Sequence, residues 1–259
     1  MTVEDLPSSA TEPGGSAVVR VLSYNIRSMR DDTAALARVI RACAPDLVLI
    51  QEAPRFFRWR KAAARLARES GLVYVTGGAT CAGPMILSSL RAHVERTEDL
   101  LMPHHPGLHQ RGFATAVLRY GGARLAAVST HLSLSPGERR QQAGLTLDRV
   151  AAMGEPYVVL GGDFNEPPER PGFSRIAAVL QDGFATKPWG GEVTNHRPPY
   201  QRIDAVFATP GIEVLGCGVP LGLPGISEAD LHTATDHMPV LAALRVPAAA
   251  PAAGTRKDE

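Results

Sequence analysis

Cysteine is scarce in this 259-residue chain: Cys43, Cys81 and Cys217 lie far apart and show no metal-ligand spacing. An odd, sparse count argues against a disulfide framework and against a thiolate metal site, and fits a reducing compartment. Charge of one sign is also lacking, since 27 basic and 26 acidic residues leave a formal net charge of +1. A dedicated non-specific nucleic-acid binder usually carries a clear basic excess, because phosphate neutralisation supplies most of that affinity. The totals therefore give no support to that class, although a local basic patch could still serve. Long hydrophobic runs are absent too. Nothing approaches the roughly 18 apolar residues of a membrane helix. Met1 to Ser16 is polar and acidic, unlike a secretory signal. A cytoplasmic, soluble protein with no evident obligate protein partner is expected.

What is present is ordinary globular composition, 44% hydrophobic and 20% charged, with no coiled-coil pattern and no internal repeat. Both ends read as tails, over residues 1–17 and 247–259, because neither holds enough apolar surface to offset its ordering entropy. One domain over 18–246 is the expectation. Within it, short Val/Ile/Leu-rich runs bounded by Gly, Pro or Asp predict strands at 18–25, 46–51, 72–76, 85–89, 113–120, 125–131, 157–163, 203–209 and 240–246. Leu36, Val39, Ile40 and Cys43 repeat at helical spacing and predict a helix over 32–43. Phe56, Trp59, Ala63 and Leu66 form a second stripe, and Ala143, Leu147 and Val150 a third. The Gly121-Gly122 pair between two strands predicts a hairpin. Many strands with few helices imply an α/β (α+β) protein, a four-layer sandwich of two mostly antiparallel, mixed sheets flanked by helices.

Polar residues recur at one place in this pattern, the C-terminal end of an apolar strand. Asn25, Glu52, His131, Asp163 and Asn165 all follow such runs. If those strands are neighbours, one edge of the sandwich collects carboxylates that repel one another unless a cation or protons neutralise them. Oxygen and amide donors without a thiolate suit a hard cation, Mg²⁺ or Mn²⁺. Two later segments add Asp204, within Arg-Ile-Asp, and Asp236-His237 before the last strand. A histidine working near neutral pH needs an orienting carboxylate, and Asp204 with His237 is a candidate dyad.

Ser-Tyr-Asn-Ile-Arg at 23–27, Gln51-Glu52, Ser-Thr-His-Leu at 129–132, Gly-Gly-Asp-Phe-Asn at 161–165, Arg-Ile-Asp at 202–204 and Asp-His-Met-Pro at 236–239 stand in an order that resembles the endonuclease/exonuclease/phosphatase superfamily. The resemblance spans about residues 20 to 246 and implies the deoxyribonuclease I-like fold. It also implies a divalent-metal-dependent phosphoesterase, with Glu52, Asn25 and Asp236 at the metal. Asp163 would orient or deprotonate water, Asn165 would bind a phosphate oxygen, and His237, held by Asp204, would contact the phosphoryl group. His131 would be the second histidine, as in the pancreatic-deoxyribonuclease and sphingomyelinase branches, and counts against the abasic-site repair endonucleases, which place a tyrosine there. Arg111 matches a phosphate-binding arginine of some members. A phosphodiester substrate, nucleic acid among the candidates, is favoured by a small margin over a phosphomonoester or a phospholipid head group. A non-catalytic binding module is the contrary expectation.

Each residue also has a plainer reading. Glu52 could be a solvated strand-end acid, Asn25 a turn cap, Asp204 a partner of Arg202, and His131 a core histidine. Asp46 reads as a turn residue, and His104, His105 and His109 as a solvated loop broken by Pro103 and Pro106. The strip from Arg55 to Arg68 interleaves arginines with Phe56, Phe57 and Trp59. Helical spacing favours Phe56 and Trp59 in the core and the arginines in water, over a surface for nucleic acid or anionic lipid; it gives Phe57 no place, and the N-terminal end of the strip, three residues after Glu52, could flank the substrate.

Overall fold

The computed structural model describes residues 6–249. In chain order it contains β1 (Ala10–Thr11), β2 (Ala17–Asn25), α1 (Thr33–Cys43), β3 (Leu47–Gln51), α2 (Trp59–Ser70), β4 (Val73–Gly77) and β5 (Met85–Ser88). There follow β6 (His93–Leu101), β7 (Gly112–Tyr120), β8 (Ala123–His131), α3 (Pro136–Ala152), β9 (Val158–Asp163), α4 (Pro171–Ala177) and β10 (Gln181–Asp182). The chain continues with α5 (Gly183–Thr186), β11 (Asp204–Ala208), β12 (Glu213–Gly218), α6 (Glu228–Ala234) and β13 (Val240–Val246). One sheet runs β12-β13-β2-β3-β5-β4 with β1 added to β2, and the other β10-β11-β9-β8-β7-β6. Only β2 with β3 and β8 with β9 pair in parallel; the remaining pairs are antiparallel. The predicted two-sheet α/β sandwich is the observed fold.

Strand periodicity explains the layers. In β2, Val19 and Val21 face the second sheet while Leu22 and Tyr24 face α1, α2 and α6. In β8, Leu125 and Ala127 enter the space between the sheets, and Ala126 and Val128 pack under α3 and α4. Strands buried on both faces read as continuous apolar runs, which is why they were visible in the sequence. One glycine sets the spacing of the sheets at one end. A Cβ on Gly161 would stand 2.7 Å from Leu49 Cδ1 of the facing sheet. That contact is too short, so a side chain there would force the two sheets apart under the strand ends.

Three sequence expectations differ from the structure. Residues 6–17, expected as tail, lie on the sandwich: Leu6 is buried, β1 pairs with β2, and Glu12 accepts hydrogen bonds from Arg245 at 3.0 and 3.1 Å. A single leucine and a backbone ladder suffice to hold a segment whose composition is poor in apolar surface. At the other end, the Ala249 N–H bonds to the Gly122 carbonyl, past the expected boundary at 246. Residues 1–5 and 250–259 of the expected tails lie outside the described residues.

The second difference concerns the Phe56 stripe. Arg58 adopts a left-handed conformation at φ 58°, so the helix starts at Trp59 and leaves Phe56 and Phe57 outside it, 78% and 88% exposed. The core reading of Phe56 is therefore wrong. The third is omission: β6 and β12 are polar or glycine-containing edge strands, and α4, α5 and α6 are too short to show a stripe. No helix among the described residues is long and apolar enough to cross a membrane.

Candidate active site

Parallel pairing of β2 with β3 and of β8 with β9 brings four strand ends to one edge of the sandwich. The register sets Asn25 beside Gln51 and His131 beside Asp163, and β11 places Asp204 beside Asp163 from the other side. Beneath them, Gln51 bonds to Ser23 at 3.3 Å and to Ser129 at 3.4 Å, tying the two sheets together with side chains. Glu52 continues β3 with a left-handed φ of 52°, a conformation costly for a residue other than glycine. Its carbonyl accepts from the Ser28 N–H at 2.7 Å, which pins the turn. Asn165 sits at φ 54°, which asparagine tolerates, and its own N–H closes onto Asp163 at 2.9 Å.

Two groups of side chains meet here. In the first, the amide nitrogen of Asn25 donates to Glu52 Oε1 at 3.2 Å and to Asp163 Oδ2 at 2.9 Å. Two carboxylates thus converge on one donor from opposite sheets. In the second, His237 Nδ1 bonds to Asp204 Oδ2 at 2.8 Å, and its Nε2 lies 3.8 Å from Asp163 Oδ2. Thr194 Oγ1 accepts from the Asp204 N–H at 3.0 Å and steadies that strand start. His131 Nε2 lies 2.9 Å from the Asn165 amide nitrogen and 3.3 Å from Asp163. The Asn165 amide also donates to the Leu132 carbonyl at 2.9 Å, which fixes its rotamer. A cavity of about 350 Å³ opens over these groups, lined by Glu52, His131, Asp163, Asn165, His237 and Arg111.

Burial decides the charges. It raises the Asp163 carboxyl to about 7, with Asp204 adding to the effect and His237 opposing it. Burial works against the charge of His237 too, yet Asp204 and then Asp163 outweigh it and raise that imidazole to about 10. His131 goes the other way: burial, then Arg111 and His237, hold it well below the ordinary histidine value. Its approach to Asp163 is therefore a neutral contact and not an ion pair. Two histidines on one carboxylate thus stand in opposite protonation states near neutral pH, one a cation and one a neutral base.

Asp163, Asp204 and His237 also place one ligand-type atom each within 4.8 Å of one another. The 2.8 Å separation of His237 and Asp204 is a hydrogen bond with a proton between the two atoms. That trio is better suited to sharing protons than to holding an ion. Outside that trio, the Glu52 carboxylate beside Asn25 is the oxygen donor that fits a hard divalent cation, with no cysteine among the lining residues. Asp236 is placed differently. Its carboxylate pairs with Arg27 at 3.2 Å and Arg197 at 3.6 Å, and it does not line the cavity. Arg111 does line it, buried, with Nε lacking a partner among the described residues.

The plainer readings divide. Asp46 is structural, buried and bound to Arg91 at 2.6 Å. Arg202 pairs with Asp182, not with Asp204. His104 and His105 bond to Leu108 and Gln141 in a loop, whereas His109 lines the cavity. The sequence reading missed His109, Arg30 and Leu134 as lining residues, which sit in irregular segments where no periodicity marks a direction; Arg55 and Phe56, at the start of the arginine strip, also line the cavity.

A model of the endonuclease/exonuclease/phosphatase family matches residues 22–237, which contain all nine residues singled out above. The chain belongs to that family. Its members are hydrolases of phosphate esters, and phosphoesterase chemistry is the activity class this membership supports. Solved structures agree on the fold. A family member from Bacteroides vulgatus superposes with a TM-score of 0.74 at 23% identity, covering 88% of this chain and 99% of its own. A mannosyl-6-phosphatase from Bacteroides thetaiotaomicron gives 0.72 at 18% identity, covering 87% and 99%. A family member from Beutenbergia cavernae gives 0.65 at 26% identity, covering 89% and 72%. No curated protein sequence matches the chain.

Proposed function

We propose that the protein is a divalent-metal-dependent phosphoesterase that hydrolyses a phosphodiester by attack of water on phosphorus. The observation that carries this reading is the convergence of Glu52 and Asp163 on the Asn25 amide, with His237, His131 and Arg111 around the same cavity. Glu52 and Asn25 would hold the cation, Mg²⁺ or Mn²⁺, and Asp236 would join them only by leaving Arg27. Such an ion supplies charge stabilisation on the phosphoryl oxygens. Asp163, raised to about 7, is placed to take a proton from an attacking water near neutral pH. His237, kept cationic by Asp204, is placed to stabilise negative charge on the phosphoryl group. The unpartnered Nε of Arg111 offers a further donor to a phosphate oxygen. Neutral His131 and Asn165 form a hydrogen-bonded pair that fixes the floor of the site.

Nuclease-type cleavage is favoured within this reading. Phe56 stands exposed at the mouth with Arg55 6.0 Å from its ring centroid, and the adjoining Phe57 is exposed with Arg58 at 5.0 Å from its own. Aromatic and arginine side chains in that arrangement can stack a base and hold its phosphate. A phospholipid head group is the second reading, because Leu134, also at the mouth, is 69% exposed. Three buried cysteines without a disulfide partner are consistent with a cytoplasmic setting.

The test is hydrolysis of bis(p-nitrophenyl) phosphate and p-nitrophenyl phosphate with Mg²⁺, Mn²⁺ or EDTA, alongside Glu52→Gln and His237→Ala. Metal-dependent diester cleavage lost in both variants supports the reading. Cleavage of the monoester alone shifts it to a phosphatase. Silence on these esters and on DNA, RNA, sphingomyelin and inositol phosphates would leave the binding-module alternative.

A further inference from the structure

Beside the catalytic cavity lies a second one of about 390 Å³, and Asn165 belongs to the walls of both. Pro136, Pro167 and Pro171 form much of its rim, so its backbone is rigid before anything binds. Its single carboxylate, Glu166, is buried and already committed. Glu166 Oε2 takes a hydrogen bond from Arg139 at 2.8 Å, and Oε1 takes one from the Phe173 N–H at 2.7 Å. Gly172 leaves room for this arrangement, since a Cβ there would overlap Glu166 Oε1. Arg139 Nη1 also donates to the Ser133 and Leu134 carbonyls, at 2.9 and 3.1 Å.

That leaves Arg140 and Arg170, both exposed and lining the same cavity, with no ion-pair partner among the described residues. Two unpaired guanidinium groups facing a rigid concavity whose acid is neutralised make a site for an anion, and guanidinium matches phosphate geometry.

We infer that the cavity between Pro136 and Gln201 is a second phosphate site, and that the substrate carries a further phosphate beyond the one hydrolysed. The inference rests on the phosphoesterase reading only for where the reacting phosphate sits. A polynucleotide and a small polyphosphorylated molecule share this chemistry, and separate arms of the test tell them apart.

The experiment compares the wild type with Arg140→Ala/Arg170→Ala. Binding of a fluorescein-labelled oligothymidylate is read by anisotropy in EDTA, so that no turnover occurs, over a range of salt concentrations. Displacement of that probe by inositol bisphosphate and by inositol monophosphate forms the second arm, and bis(p-nitrophenyl) phosphate hydrolysis the control. The double variant should bind the oligonucleotide about 10- to 100-fold more weakly. Its slope of log affinity against log salt should fall by about 1.4, from two lost phosphate contacts on a single strand. Control hydrolysis should change less than about twofold, because that ester has one phosphate and both arginines lie outside the reacting centre. Weaker binding of the oligonucleotide alone identifies a polynucleotide, and weaker displacement by the bisphosphate, but not the monophosphate, a small polyphosphate. Equal losses on every probe, or none on any, overturn the inference. A wild type that hydrolyses no ester but shows the arginine-dependent binding would remove the hydrolase reading and leave this site standing.

Discussion

Two buried carboxylates stand at opposite ends of the central strands of one sandwich, and they serve different purposes. Asp46 enters β3 and Asp163 closes β9. Asp46 accepts from the Arg20 N–H at 2.9 Å and pairs with Arg91 at 2.6 Å, so its charge is answered by a guanidinium and a backbone donor. Asp163 has no arginine or lysine in ion-pair contact among the described residues. Its neighbours are an amide, a second acid and two histidines, and burial raises its carboxyl to about 7. A satisfied buried acid holds the scaffold together. A frustrated one keeps its proton exchangeable near neutral pH, as acid–base chemistry requires.

Asp163→Asn should break this contrast with the largest effect. Diester hydrolysis should fall by about 10³ or more, since the proton acceptor and its orientation are both lost. The melting temperature should hold or rise, because a neutral amide relieves the repulsion with Asp204. A fall in melting temperature with activity intact would assign Asp163 to the scaffold. Asp46→Asn should do the reverse. It strips a half-wet arginine of its buried partner and should cost about 3 kcal/mol by urea unfolding. Activity per folded molecule should stay within about twofold. Loss of activity without loss of stability would show that the far end of the sheet is coupled to the site.

The contrast also predicts a pH dependence for the metal-free protein. His237 is raised to about 10 in the fold, so its contribution to stability is complete below the unfolded value of about 6.5. That contribution is lost as pH climbs through about 10. Asp163 has the same sign over a lower window, from about 4 up to about 7. In EDTA the melting temperature should therefore fall as pH rises, by about 5 °C or more between pH 7 and 10. His237→Ala should flatten that upper part. A flat wild-type profile over the same range would mean that Asp204 does not hold a charged imidazole.

Most of the architecture was legible because strands buried on both faces leave uninterrupted apolar runs, and a chain-ordered set of polar residues marked their ends. Asn25, Glu52, His131, Asp163, Asn165, Asp204 and His237 are all close together for that reason. Asp236 was placed at the metal by resemblance alone, and the ion pairs that hold it arise from Arg27 and Arg197, whose positions no local pattern reveals. The edge strand β6 was invisible because solvent on one side lets it be polar. Phe56 was misread for a different reason. Its spacing to Trp59 and Ala63 is helical, but one left-handed residue, Arg58, stops the helix short of it. Residues 6–17 escaped notice because their hold on the domain is a ladder of backbone bonds, which composition does not record.

Phe56 supplies the smallest expected effect and the closest comparison of the two ends. The cavity beside Asp46 measures about 530 Å³ and is lined by serines, arginines and small residues, with no aromatic at its rim. The cavity over Asp163 is smaller and carries Phe56 at its mouth, where burial contributes almost nothing to folding. Phe56→Ala should therefore change stability by no more than about 0.5 kcal/mol. A ring kept in water at the rim of a cavity can act only on what enters it. KM for an aromatic diester should rise about three- to tenfold, by loss of one stacking contact worth about 1 kcal/mol, with kcat nearly unchanged. An unchanged KM would make the ring a bystander. A fall in kcat instead would place it against the reacting group, with Glu52 four residues upstream as the nearest group to examine.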